Sequence, residues 1–118
     1  QLVAGFHSFV GLAAVSAGFA SFFHPGPFMT LRAIETFAGT AIGALTFTGS
    51  VVAAGKLHGV IPGAPIILQN RWLLNCSGAV SSLVLGLHFA NPAVYASWAG
   101  TACLGLNTAI WGFLGINM

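Results

Sequence analysis

Four histidines, two cysteines and one carboxylate side chain, Glu35, are all that the sequence offers for acid–base or nucleophilic chemistry. Histidine is the side chain that trades protons near neutral pH. His7 is the only one of the four set deep in an uncharged apolar run, residues 2–23. An ionisable ring in such a run is expensive to keep and is a functional candidate by default. Two readings of His7 stand side by side: a protonatable group, and a ring that is merely hydrogen-bonded. His24 and His58 fall among turn residues and read as solvated. His88 falls near the end of an apolar run and reads as interfacial. No histidine pair has cysteine or carboxylate neighbours at metal-ligand spacing, so no metal site is expected. There is no GxGxxG or GxxxxGK[ST] run and no Ser/His/Asp set, so no cofactor-binding residue is expected on this chain. Cys76 and Cys103 read as buried thiols at different depths, too far apart for a disulfide.

The elements that must position these groups follow from composition. The chain has 118 residues, of which 57% are hydrophobic and 3% charged, the charges being Arg32, Glu35, Lys56 and Arg71. An ordinary soluble domain has about 25% charged residues. So few charges exclude a soluble enzyme domain and a nucleic-acid-binding face. The lipid bilayer is the expected surrounding. A transmembrane helix needs about 20 mostly apolar residues, and the turn signals divide the chain into four such spans, at about 2–23, 36–55, 72–90 and 93–114. His24-Pro25-Gly26-Pro27 breaks the chain after the first span, Pro62, Gly63 and Pro65 after the second, and Asn91-Pro92 after the third. No span alternates with the period of a barrel strand. The expected fold is all-α: one polytopic transmembrane domain over residues 1–118. The 56–71 loop carries two positive charges, whereas Arg32 in the 24–35 loop is offset by Glu35. The positive-inside rule then places the 56–71 loop, and both chain ends, on the cytoplasmic or matrix side. Trp72, Tyr95, Trp98 and Trp111 fall near span ends, where interface anchors belong.

Every span carries a face of small residues: His7, Gly11, Ala14 and Gly18; Gly39, Gly43, Thr46 and Ser50; Asn75, Gly78, Ser82 and Gly86; Ala96, Gly100, Cys103 and Asn107. Small faces let helix backbones approach closely in lipid, where hydrophobicity does not drive association. At 1.5 Å per residue, His7, Ser50, Asn75 and Asn107 fall about 5–10 Å in from the inner ends of their spans. The spacing predicts one polar layer, with Ser50, Asn75 and Asn107 as hydrogen-bonding neighbours of His7 in a proton-transfer role.

Two stretches also resemble a known family. Residues 2–15 read LVAGFHSFVGLAAV, and residues 35–59 read ETFAGTAIGALTFTGSVVAAGKLHG. Both are similar to the membrane domain of the proton-translocating NAD(P) transhydrogenase, in its bacterial β subunit or the equivalent part of the mitochondrial single-chain enzyme. The resemblance is strong over 2–23 and 35–59, continues through Gln69-Asn70-Arg71 to Asn75, and is weak over the last two spans. The family's Asn-Arg-His in the second loop is here Asn70-Arg71-Trp72. The resemblance implies that His7 stands at the position of a proton-pathway residue. It implies that NAD(H) and NADP(H) are bound by nucleotide-binding domains outside this chain. It implies partners in a larger complex, other membrane helices among them, and a bacterial cytoplasmic or mitochondrial inner membrane. On this reading the chain is not catalytic alone: it is a membrane segment contributing to a proton pathway coupled to hydride transfer elsewhere. The alternative is a transhydrogenase-derived accessory or structural membrane subunit of a respiratory-chain complex without its own activity.

Overall fold

The computed structural model describes residues 2–24, 26–27, 29–64 and 69–117; Pro25 and Pro65, two of the expected breakers, lie outside them. Five helices follow one another: α1 Leu2–Phe23, α2 Met29–Leu57, α3 Arg71–Phe89, a short α4 Pro92–Tyr95, and α5 Trp98–Ile116. Among the described residues there is no strand. α1, α2, α3 and α5 are each long and apolar enough to cross a membrane. The chain is an integral membrane protein of the all-α class.

The helix ends are set by local chemistry. α2 ends where Gly59 adopts φ 75°, and the amides of Val60 and Ile61 bond back to the Gly55 carbonyl. Glycine takes that left-handed conformation without Cβ strain, which is why it closes helices. Asn91 caps α4 through its side chain, which accepts from the Ala93 amide at 3.1 Å, with Pro92 at the first helical position. Ser97 caps α5 in the same way, accepting from the Ala99 amide at 3.2 Å.

Two boundaries differ from those expected. α2 begins at Met29, so Arg32 and Glu35 sit on the helix and not in a loop. No glycine or proline interrupts residues 29–35, and helix propagation costs little once a turn has formed. The fourth span is not continuous from 93 to 114. It breaks at Ala96 and Ser97, where the cap turns the chain and brings Tyr95 inward. Tyr95 is therefore no interface anchor. It is 4% exposed and packs its ring against Phe22 and Phe89, at centroid distances of 5.0 and 5.1 Å.

α1 and α2 form an antiparallel hairpin with backbones almost in contact. A Cβ on Gly11 would lie 2.5 Å from the Phe47 nitrogen and 2.7 Å from the Gly43 oxygen. One on Gly43 would lie 2.9 Å from both the Gly11 oxygen and the Val15 nitrogen. Gly39, the other half of the GxxxG pair, faces open space. α5 runs parallel to α2: Asn107 lies beside Phe37 and Thr40, and Gly115 beside Leu45, Thr48 and Gly49. α3 runs antiparallel to α5, with Gly78 against Ile110 and Leu114. Phe22, Phe37, Phe89 and Tyr95 close the end of the bundle at which α1 finishes and α2 begins.

Candidate functional site

Two polar features lie on this frame. The first is a buried hydrogen-bonded clasp between α2, α3 and α5. The Trp111 Nε1 donates to the Ser82 hydroxyl at 2.8 Å. Ser82 donates to Asn107 Oδ1 at 2.7 Å. Asn107 Nδ2 donates to the Phe37 carbonyl at 3.0 Å and to Thr40 Oγ1 at 3.4 Å. Thr40 in turn donates to the carbonyl of Thr36 or Phe37, each at 3.0 Å. Asn107 and Thr40 are fully buried, and Ser82 is 6% exposed. Both protons of the Asn107 amide have acceptors, and its oxygen accepts from Ser82. Buried polar groups are tolerated on this condition, since an unmade bond costs more than a made one gains. Helical spacing brings the parts together. Asn107 and Trp111, four residues apart, share one face of α5. Ser82 lies on the α3 face that packs on it.

The second feature is the seam between α1 and α2 at their inner ends. Gly11 meets Gly43 and Phe47, and one turn further puts His7 level with Ser50 and Val51. His7 is exposed on the four-helix unit, Ser50 is partly buried, and Thr46 is partly buried one turn above it. Ser50 follows Thr48 by two residues, about 200° round the helix axis, so it lies away from α5, which Thr48 meets. Among the described residues the side chains of His7 and Ser50 make no hydrogen bond, which leaves both free toward a group outside this unit.

The four residues expected to form one layer are thus distributed as follows. A Cβ on Gly49 would lie 3.5 Å from the Gly115 oxygen, so Ser50 is level with the end of α5. Asn107 precedes Gly115 by eight residues, about 12 Å along the axis. It belongs to the clasp and not to the level of His7 and Ser50. Asn75 lies near the inner end of α3, one turn below Gly78 and close to the level of Ser50, with its side chain exposed. Cys103 is buried, whereas Cys76, expected to be buried, is exposed. Trp111, expected as an interface anchor, points inward to Ser82. Thr40 and Trp111 were not singled out from the sequence as polar partners. The available signal was Trp111 lying one turn after Asn107 on the same face.

The clasp and the seam contain no formal charge, and among the described residues no three His, Cys, Asp or Glu side chains converge. His7 is the titratable side chain on the α1 side of the seam, and His58 lies against Leu2, Gly5, Phe6 and Phe9 at the inner end of α1.

The family model for the NAD(P) transhydrogenase beta subunit matches residues 1–118, including the last two spans, where the motif resemblance was weak. The NAD(P) transhydrogenase subunit beta of Rhodospirillum rubrum is 43% identical over 74 residues, which cover 56% of this chain and 16% of that protein. The protein of the same description from a designated strain of that species gives the same figures. The chain therefore spans about 16% of the length of these curated relatives. No solved structure matches it. Because the family model covers every residue of it, the chain belongs to the NAD(P) transhydrogenase beta subunit family.

Proposed function

We propose that this chain is the part of a proton-translocating NAD(P) transhydrogenase in which a proton enters or leaves the membrane domain, with His7 as the group that carries it. The observation that supports this reading is the family match over residues 1–118, together with the place of His7. The ring sits at the α1–α2 seam, level with Ser50, open to a partner and unpaired within the unit. A proton-transferring ring needs access to a donor and an acceptor that alternate, and a ring locked into a buried network lacks that access. On this reading Ser50 serves as a hydrogen-bonding neighbour of His7. Asn75 serves the same level from α3, and Asn107 acts through the clasp. On this reading NAD(H) and NADP(H) are held on domains outside these spans. The partners are those domains and further membrane helices, in a bacterial cytoplasmic or mitochondrial inner membrane.

The test is His7→Gln in the assembled complex reconstituted into vesicles. Glutamine keeps hydrogen-bonding capacity and removes titration. Loss of proton-coupled transhydrogenation with the complex still assembled is expected. An unchanged coupled rate would overturn the proton role.

A further inference from the structure

We infer that Thr40 is a positioning residue with two working sides, one tying α2 to the α3–α5 pair and the other seating the helix that carries His7; its consequence for function rests on the proton role proposed for His7. Thr40 is fully buried near the middle of α2. Its hydroxyl is part of the clasp, accepting from Asn107 at 3.4 Å while its own proton goes to the Thr36 or Phe37 carbonyl. Its methyl occupies the notch left by Gly18 of α1, where any Cβ would collide with Thr40 Cγ2. Both groups hang from one β-carbon, so a single χ1 angle sets both contacts. β-branched side chains are stiff at χ1. The hydroxyl cannot turn toward another partner without withdrawing the methyl from the notch.

The remainder of the α1–α2 contact explains why this matters. Gly11 and Gly43 meet backbone to backbone, which gives proximity but no peg. Phe22 joins α1 to Phe89 and Tyr95 through rings, contacts that tolerate sliding. Thr40 supplies a directional link from Trp111, Ser82 and Asn107 through α2 to Gly18. His7 is eleven residues from Gly18, about 16 Å along one helix. A displacement of α3 or α5 at Asn107 therefore reaches His7 through one side chain and a rigid rod.

The experiment compares Thr40→Val, which keeps the branched shape and removes the hydroxyl, with Thr40→Ser, which keeps the hydroxyl and empties the notch. Both are made in the assembled complex in vesicles, beside wild type and His7→Gln. The first readout is the ring resonance of His7 in isotope-labelled protein, with His88 on α3 as the internal reference. The second is the rate of proton-coupled transhydrogenation. Both variants are expected to move the His7 resonance, leave that of His88 in place, and lower the coupled rate about two- to thirtyfold, the range of residues that couple distant sites. An unmoved His7 resonance in both variants overturns the inference, as does a moved resonance with an unchanged rate. Should Thr40→Ser not assemble, the near-isosteric Thr40→Val decides alone. If His7→Gln leaves the rate unchanged, the proton role has failed, and the resonance still decides whether Thr40 positions α1.

Discussion

The Ser82 hydroxyl donates to Asn107 Oδ1 at 2.7 Å and receives the Trp111 indole proton at 2.8 Å, so one small side chain of α3 satisfies two residues of α5. Removing it strands both partners in an apolar interior. Ser82→Ala is expected to destabilise the bundle by about 1–3 kcal/mol, the cost of unpaired buried polar groups. Asn107→Ala should cost a similar amount. The double variant should cost less than the sum, by roughly 0.6 kcal/mol or more, as for coupled intramembrane pairs. Unfolding in mixed lipid–detergent micelles measures all three. Strict additivity would show that the clasp does not act as a unit.

The same bond has an optical signature. With Trp72 and Trp98 replaced by Phe, Trp111 is the single indole left. Ser82→Ala should shift its emission to the blue, because the indole proton loses its acceptor and the ring keeps an apolar environment. An unshifted spectrum would mean that Trp111 does not hold this bond in the bilayer.

The two glycines of the GxxxG pair should separate cleanly. Gly43→Ala places a methyl 2.9 Å from two backbone atoms of α1 and must push the hairpin apart. A loss of about 1–3 kcal/mol is expected, the usual cost of overpacking. Gly39→Ala meets open space and should stay within about 0.5 kcal/mol of wild type in the isolated unit. A larger loss for Gly39→Ala only in the assembled complex would show that a partner helix covers that face.

Tyr95→Phe tests the opposite case. The Tyr95 hydroxyl is buried and has no protein hydrogen-bond partner among the described residues. Its ring contacts to Phe22 and Phe89 survive the change. Stability should be unchanged or higher by up to about 1 kcal/mol. A marked loss would reveal an ordered water or ligand on the hydroxyl.

Orientation is open to direct labelling. Lys56 and Arg71 flank one loop, and the positive-inside rule puts that loop on the cytoplasmic or matrix side. In a background without Cys76 and Cys103, His58→Cys should react with an impermeant maleimide from that side only, and His24→Cys from the other only. The reverse pattern would invert the topology.

The four apolar spans were legible because length and hydropathy alone decide whether a helix crosses a bilayer. The start of α2 was not, since Arg32 and Glu35 look like loop charges until the absence of any breaker after Met29 is weighed against them. The break at Ser97 was hidden in an apolar run, because one capping hydroxyl carries it. The small-residue faces pointed to close packing but not to which glycine packs: Gly43 touches α1 and Gly39 does not. Depth counted from span ends grouped Asn107 with His7. The parallel course of α2 and α5 fixes their true separation, and that is a tertiary fact. Nothing in the sequence singles out Thr40, since its role depends on Gly18 and Asn107 meeting it from opposite sides.

The helices differ in length, and this sets what the bilayer can do to the protein. α3 and α5 have 19 residues each, about 28 Å, against a hydrocarbon thickness near 30 Å, whereas α2 has 29 residues and about 43 Å. In the α1–α2 register, Phe23 at the end of α1 is level with about residue 35, so α2 reaches beyond the end of α1 at its start and is nearly flush with it at its inner end. Thickening the membrane therefore leaves α2 matched and strains α3 and α5, the two helices that the clasp fastens to it. Mismatch of this kind costs fractions of a kcal/mol per ångström. Thickness thus acts as a mechanical load on the Ser82, Asn107 and Thr40 contacts, and lipid chain length becomes a reversible way to pull on them without changing a residue.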